Sequence, residues 1–409
     1  MKKFKIVMSL LLVFGLLFSG LSVNLKSVEA SDKNPEFTKL KLNLEKNGLL
    51  YITENNIDSQ KIINFNKEFI TTNFSTIKSL NIAQVDSNIF KNIIVDATEL
   101  NNTDVLNKVR ESYKNGAKIV IRKDHIKLSE AYNLIGENIP ENIPQVDNYS
   151  DKLTNVAISM FKDSSGNIYP VNMNVEVNNE NEVLRIITIA LRDDKDNLHL
   201  SNNQQTQSII QTIKPAKASL STSWPPVGSY ASYDSWTSVT VNYALNVYKN
   251  PNNPSNGTYW SMAYSPVTVT PNSGYYSGYV YLYQHSNSGG TVCDYGPTAQ
   301  TNTSAININF GVTPSVTLNY GIGNRMNIAI NAGGLGNYYI QWRFTPVSIL
   351  GGYQPTSNQT AYEPTSQYYQ YQTYISHSLR YIVDMYTFSN PDFNYYGSAS
   401  MSQVSVNGY

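Results

Sequence analysis

Trp236-Thr237-Ser238-Val239-Thr240-Val241-Asn242-Tyr243-Ala244-Leu245-Asn246-Val247-Tyr248 alternates without a break. Val239, Val241, Tyr243, Leu245 and Val247 share one parity, and Thr240, Asn242, Ala244 and Asn246 share the other. Successive side chains of an extended chain point to opposite faces, so this period predicts a strand with one buried face. The loop Pro251-Asn252-Asn253-Pro254-Ser255-Asn256-Gly257 follows, and residues 258–264 return as the second arm of a hairpin. Residues 278–284 set Val280 and Leu282 against Tyr279, Tyr281 and Tyr283. Residues 305–312, 315–322, 326–331, 337–344 and 375–388 read as further strands, and 404–406 closes the set. Strands punctuated by Gly, Pro and Asn predict an antiparallel sandwich or barrel, with no helix required.

Upstream the pattern changes. Residues 48–53, 92–96 and 118–121 are short, continuously apolar strands. Between them run helix-like stretches: one after Asp58 with Ile62, Ile63, Phe65, Phe69 and Ile70, and one after the capping run Asn101-Asn102-Thr103-Asp104 that stops at Asn115-Gly116. Residues 126–135 predict another helix. Strand–helix alternation with apolar strands predicts a parallel sheet covered by helices. Residues 156–160 and 171–177 predict a hairpin across Ser164-Ser165-Gly166-Asn167, and the β-branched content of 183–191 leans to strand.

Composition divides the chain at the same place. From residue 218 onward the only charged residues are Lys249, Arg325, Arg343, Arg380, Asp234, Asp294, Glu363, Asp384 and Asp392. All the tryptophans, and most of the 31 tyrosines, lie in that part. The predicted fold class is therefore α+β in two domains, an N-terminal α/β open-sheet domain followed by an all-β antiparallel sandwich or barrel domain. The expected layout is 1–30 secretory signal peptide, 31–200 α/β domain, 201–226 polar and Pro-rich linker, and 227–409 tyrosine-rich β-domain. The signal reading rests on the basic start Lys2-Lys3-Phe4-Lys5, the apolar run from Ile6 to Val23, and the small-x-small step at Val28 and Ala30. It places the protein outside the cell, secreted or associated with the cell wall.

Several function classes lack their residues. Lys+Arg and Asp+Glu balance at 30 each, without the basic excess that neutralises nucleic-acid phosphates. One cysteine, Cys293, allows no intrachain disulfide and no cysteine cage, and it reads as a small buried hydrophobe. There is no G-x-G-x-x-G, no G-x-x-x-x-G-K-[ST], no G-x-S-x-G and no H-E-x-x-H. Asp96 ends a strand where open α/β sheets bind ligands, yet no accompanying motif supports chemistry there. His285 and His377 read as lone structural residues. The expectation is a non-catalytic protein with no metal and no cofactor.

What remains is a β surface rich in Tyr, Ser, Thr, Asn and Gln and poor in charge. A tyrosine brings a flat apolar ring and a hydroxyl with few rotors to freeze, which suits extended contact. The expected function is binding or adhesion through this neutral face, to cell-wall carbohydrate or a cell-surface protein. The expected contact residues are Trp236, Tyr279, Tyr281, Tyr283 and Trp342, of which Trp236 and Trp342 have a core position as their alternative. The second expectation concerns residues 304–322. Ile306, Ile308, Phe310 and Val312 oppose Val316, Leu318, Tyr320 and Ile322 across Thr313-Pro314, while Asn307, Asn309, Thr317 and Asn319 hold the other parity. Strands that line a membrane pore look like this, apolar to lipid and polar to lumen, and so do soluble sandwich strands. In this character the chain broadly resembles β-pore-forming toxins, and a membrane is a partner only under that alternative.

Overall fold

The computed structural model describes residues 49–53, 74–77, 92–140, 152–162, 166, 168–198, 226–250, 259–297, 305–309, 315–319, 325–348, 350, 352–401 and 403–408. The expected signal peptide, the helix-like stretch after Asp58 and the linker up to Pro225 lie outside these residues. The chain is mostly β, arranged in two large sheets. Its elements are β1 (Leu49–Ile52), β2 (Phe74–Ile77), β3 (Asn92–Asp96), α1 (Thr103–Lys114), β4 (Lys118–Arg122), α2 (Leu128–Ile135), β5 (Thr154–Lys162), β6 (Ile168–Val175) and α3 (Glu180–Leu198). The second half holds β7 (Pro226–Ser235), β8 (Val239–Lys249), β9 (Tyr259–Tyr264), β10 (Val267–Pro271), β11 (Tyr275–Ser286), β12 (Thr291–Gly296), β13 (Ala305–Asn309) and β14 (Ser315–Asn319). It ends with β15 (Arg325–Gly333), β16 (Tyr339–Val347), β17 (Thr360–Tyr362), β18 (Thr365–Gln370), β19 (Ile375–Ser389), β20 (Asp392–Ser400) and β21 (Val404–Gly408).

In the first half β2, β1, β3 and β4 pair in parallel in that order. Alternate residues serve opposite faces, as the pleat requires. Leu50, Ile52, Ile93, Val95, Ile119 and Ile121 pack with Val105, Val109, Tyr113, Ala131 and Ile135 of α1 and α2. Tyr51, Ile94 and Val120 pack on the other side with Val183, Ile186, Ile187 and Ala190 of α3. The Asn102 side-chain oxygen caps α1 by accepting from the Asp104 N–H at 2.9 Å. Gly116, with φ +86°, turns the chain into β4 in a conformation that L side chains rarely adopt.

The segment expected to lean to strand is helical. Asn179 starts α3, its side-chain oxygen accepting from the Glu182 N–H and its carbonyl from the Val183 N–H, both at 3.0 Å. Val183, Leu184, Ile186, Ile187, Ala190 and Leu191 are all buried and fall on one helical stripe. Burying that stripe outweighs the few tenths of a kcal/mol that each β-branched residue costs in a helix.

The two-domain arrangement is not confirmed, because a single sheet runs through both halves. Strand β4 pairs antiparallel with β5, β5 forms the expected hairpin with β6, and β6 pairs in parallel with β7, Asn172 opposite Ser232 and Val175 opposite Ser235. From β7 the same sheet continues antiparallel through β8, β9, β18 and β12. A second sheet, in the order β15-β16-β11-β19-β20 with β21 on β19, packs face to face on this later part. Val239, Val241, Tyr243, Leu245 and Val247 of β8 meet Val280, Leu282, Ile340, Phe344, Leu379 and Val383 in one core. Fully burying side chains of this size contributes roughly 1.5–3 kcal/mol each. The expectation of one buried face for β8 is exceeded, since Thr240 and Asn242 on the other parity are also buried. Arg185 of α3 reaches over that face and donates to the Thr240 hydroxyl at 3.2 Å.

Asp234 of β7 is the joint between the sheets. It is fully buried. Its carboxylate accepts from the Asn174 amide of β6 at 2.7 Å, from the Ser232 hydroxyl at 3.0 Å and from the Tyr381 hydroxyl of β19 at 2.6 Å. Tyr381 in turn accepts from the Trp236 indole N–H at 3.0 Å. Burial outweighs these donors and lifts the Asp234 pKa from 3.8 to about 6. The folded protein thus holds this proton more tightly than the unfolded chain does. The corresponding stability is complete below the unfolded value and is lost as pH rises through about 6. Asp234→Asn cannot titrate, so the melting-temperature difference between wild type and Asp234→Asn should shift against wild type from pH 4 to pH 7, by the equivalent of roughly 2 kcal/mol. Thermal melts across that range, with a flat difference, would overturn the assignment.

Candidate functional site

Strand β11 decides which tyrosines face out. Val280 and Leu282 point into the sandwich and are fully buried, so Tyr279, Tyr281 and Tyr283 lie on the outer face, where all three are half-buried. On that face Tyr281 stands opposite Arg343 of β16 and Ile382 of β19, and Tyr283 opposite Gln341 and Arg380. The Arg343 guanidinium lies over the Tyr279 ring at 5.6 Å and that of Arg380 over Tyr283 at 5.4 Å. Gln341 donates from its amide to the Tyr283 hydroxyl at 2.7 Å. The face was expected to be neutral, yet it holds two of the few arginines of this half together with Asp384. Asp384 accepts from the Ser398 hydroxyl at 2.6 Å.

From Tyr279 a chain of rings crosses the sheet. Tyr353 stacks on Tyr279 with centroids 4.6 Å apart and planes 6° from parallel. Tyr353 meets Tyr386 edge-on at 6.2 Å, and Tyr386 meets Tyr395 at 5.6 Å. Burial, with the bond to Tyr386, pushes the Tyr353 hydroxyl pKa well above its ordinary value. Gly278 makes room for this packing, because a Cβ there would lie 2.4 Å from both the Tyr353 hydroxyl and the Tyr386 ring. At the β19–β20 end, Phe388, Tyr395 and Tyr396 are exposed; Phe388 lies opposite Phe393 in register and beside Tyr276, and Tyr396 meets Tyr275 edge-on at 4.9 Å.

The two expected tryptophans are not on this face. Trp342 is fully buried, with its indole N–H donating to the Pro297 carbonyl at 3.1 Å. Trp236 is buried at the Asp234 joint. Both take the core position that was their alternative. Trp342 shares parity with Ile340 and Phe344, a signal that alternation alone carried. Tyr353, Tyr386 and Tyr395 were missed because only long-range packing brings them to β11.

Part of the hairpin expected at 304–322 is seen, over shorter arms and in a register centred before Thr313-Pro314. Strands β13 and β14 are antiparallel, with Ile306 opposite Leu318, Asn307 opposite Thr317 and Ile308 opposite Val316. Among the described residues they form a two-stranded sheet of their own and join neither large sheet. Phe310 and Tyr320 lie outside the described residues. Among the described residues no helix is long and apolar enough to cross a membrane.

Elsewhere the reactive groups are engaged. At the carboxyl ends of the parallel strands the Tyr51 hydroxyl donates to Asp96 at 3.0 Å, and Arg122 donates to Tyr51 at 2.6 Å and to Glu180 at 2.8 Å. Cys293 is half-buried, donates to the Gln367 carbonyl at 3.3 Å, and has its pKa pushed up to about 12 by burial, so it is no nucleophile near neutrality. His377 is buried against Tyr368 and bonded to Ser261 at 2.9 Å, and burial lowers its pKa to about 3. Among the described residues no three His, Cys, Asp or Glu gather where they could hold a metal.

No family model and no curated protein sequence matches the chain. Solved structures similar to it include a "Pore forming protein" at TM-score 0.26 and 7% identity, covering 44% of this chain and 89% of that one. Clostridium perfringens delta-toxin matches at TM-score 0.20 and 8% identity, covering 43% and 94%. The collagen-binding subdomain of the Enterococcus faecalis surface protein ACE matches at TM-score 0.16 and 12% identity, covering 37% and 90%. Likeness at this level carries no argument for either activity. The burial difference does make a prediction. Trp342→Ala should cost about 3–5 kcal/mol in urea denaturation, and Tyr281→Ala under about 1.5 kcal/mol. Equal costs would remove Tyr281 from the surface.

Proposed function

We propose that this is an exported, non-enzymatic, membrane-active protein of the pore-forming kind, with the β13–β14 hairpin as the segment that enters the bilayer. One observation carries the reading: among the described residues this hairpin pairs only with itself, inside a stretch from Tyr295 to Asn324 without a single charged residue. The alternation of 304–322 is equally that of an ordinary sandwich strand. A sandwich strand, however, pairs with its sheet, and among the described residues this one pairs only with the other arm of its hairpin. A membrane-crossing strand needs about 9–11 residues. The paired arms have 5 each, and the uncharged sequence extends beyond both, so lengthening them buries no charge. Two strands alone leave backbone groups unpaired at both edges, which hydrocarbon does not tolerate. The inserted form is therefore a closed barrel built from several copies. The exposed aromatic rings at the β19–β20 end suit the headgroup region, where amphipathic rings concentrate.

A second reading is binding or adhesion to carbohydrate or protein at a cell surface. The ring chain from Tyr279 through Tyr353 and Tyr386 to Tyr395 favours it, because preset stacked rings meet a partner with little ordering cost.

Dye release from phosphatidylcholine vesicles tests the first reading. The wild type should release. Leu318→Arg, at the register position of the apolar face, should lose most of that release, since a cation facing lipid costs about 2–4 kcal/mol in each copy. Asn307→Arg, on the lumen parity, should retain it. No release by the wild type, or equal loss in both variants, would sink the pore reading.

A further inference from the structure

We infer that the outer face of the second sheet holds a binding site for an acidic polysaccharide, with Arg343 and Arg380 as the groups that read its charge. The inference rests on the second reading above, that this face makes contacts, and supplies its ligand class.

Arg122 is bonded to Glu180, Arg185 to Glu182, and Arg110 donates to the carbonyls of Asn133 and Leu134. Arg343 and Arg380 differ. Among the described residues neither lies within ion-pair distance of a carboxylate; Arg380 is exposed, and Arg343 is half-buried with its Nε covered and without a hydrogen-bond partner. Each guanidinium carbon instead lies over a tyrosine ring, 5.6 Å from the Tyr279 centroid and 5.4 Å from the Tyr283 centroid. A cation–ring contact places the guanidinium without spending its N–H groups on a carboxylate of the protein, which suits a planar carboxylate or a sulfate. The one acidic side chain nearby, Asp384, is engaged by Ser398.

The spacing selects the class. Arg343 and Arg380 stand on the strands to either side of β11, one opposite Tyr281 and the other opposite Tyr283. Neighbouring strands lie about 4.8 Å apart and residues advance about 3.4 Å along a strand, so the two positions are roughly 12 Å apart. No single phosphate or carboxylate touches both. Successive acidic groups on one extended chain do. Between them lies Tyr281, half-buried on the same outer face, and the open part of a tyrosine ring is a platform for the apolar face of a sugar. Charge at two points with a ring platform between them is a pattern for an acidic glycan more than for an acidic peptide, which needs no such platform.

Binding of the full-length protein to immobilised polygalacturonate, heparin, dextran and polyglutamate tests this. Retention is expected on polygalacturonate and heparin, weaker at high salt, and absent on dextran. Arg343→Gln with Arg380→Gln should weaken it at least about tenfold, and Tyr281→Ala should weaken it separately, with far-UV spectra and melting temperatures unchanged. Arg343→Lys with Arg380→Lys should restore part of the binding. Undiminished binding by the double Gln variant overturns the proposal, as does equal retention on polyglutamate. Retention on dextran that depends on Tyr281 but not on the arginines also overturns it, and leaves the contact reading standing. Retention on no polymer removes both.

Discussion

One buried carboxylate ties three parts of the chain. Asp234 belongs to β7, takes its donors from β6 and from β19, and through Tyr381 reaches Trp236. A lone carboxylate this deep is costly, and only several donors make it tolerable. Because those donors come from the first half, the large sheet and the second sheet, the residue fixes how the sandwich sits on the strand that continues from the parallel sheet. The parallel pairing of β6 with β7 and the packing of β19 over it converge on one side chain.

Local regularities were legible in the sequence. The parity of β8, β11 and β16 followed from alternation, and α1 from its Asn102 cap and its stop at Gly116. Helix α3 was not, since Val183, Ile186 and Ile187 favour strands intrinsically and only the stripe they share on a helix reveals their place. Strand β7 was hidden because Pro225-Pro226 reads as linker, whereas a proline at the first residue of a strand costs no ladder bond. Composition suggested two domains, but composition reports what covers a sheet. Which strands pair is set by backbone register, and that crosses the compositional border without a break.

The contact face was half legible. Parity gave Tyr279, Tyr281 and Tyr283, and residue type misled for the tryptophans. Arg343 stands on the outward parity of β16, beside the inward Trp342, so its outward direction was readable; its place over the Tyr279 ring was not. Alternation made the antiparallel pairing of the hairpin legible but not its register, which is centred before Thr313-Pro314, and its separation from both sheets among the described residues is a matter of topology that no window of residues encodes.

Gly278 has a consequence for what this face tolerates. The seat that Tyr353 occupies has walls from two strands, β11 at Gly278 and β19 at Tyr386. A side chain at Gly278 would have to displace one of those rings, and with it the contact that Tyr353 makes on Tyr279. The bridge of Thr356 to Ser277 ties the same segment to β11, so such a change strains the outer layer of rings and leaves the core beneath it in place.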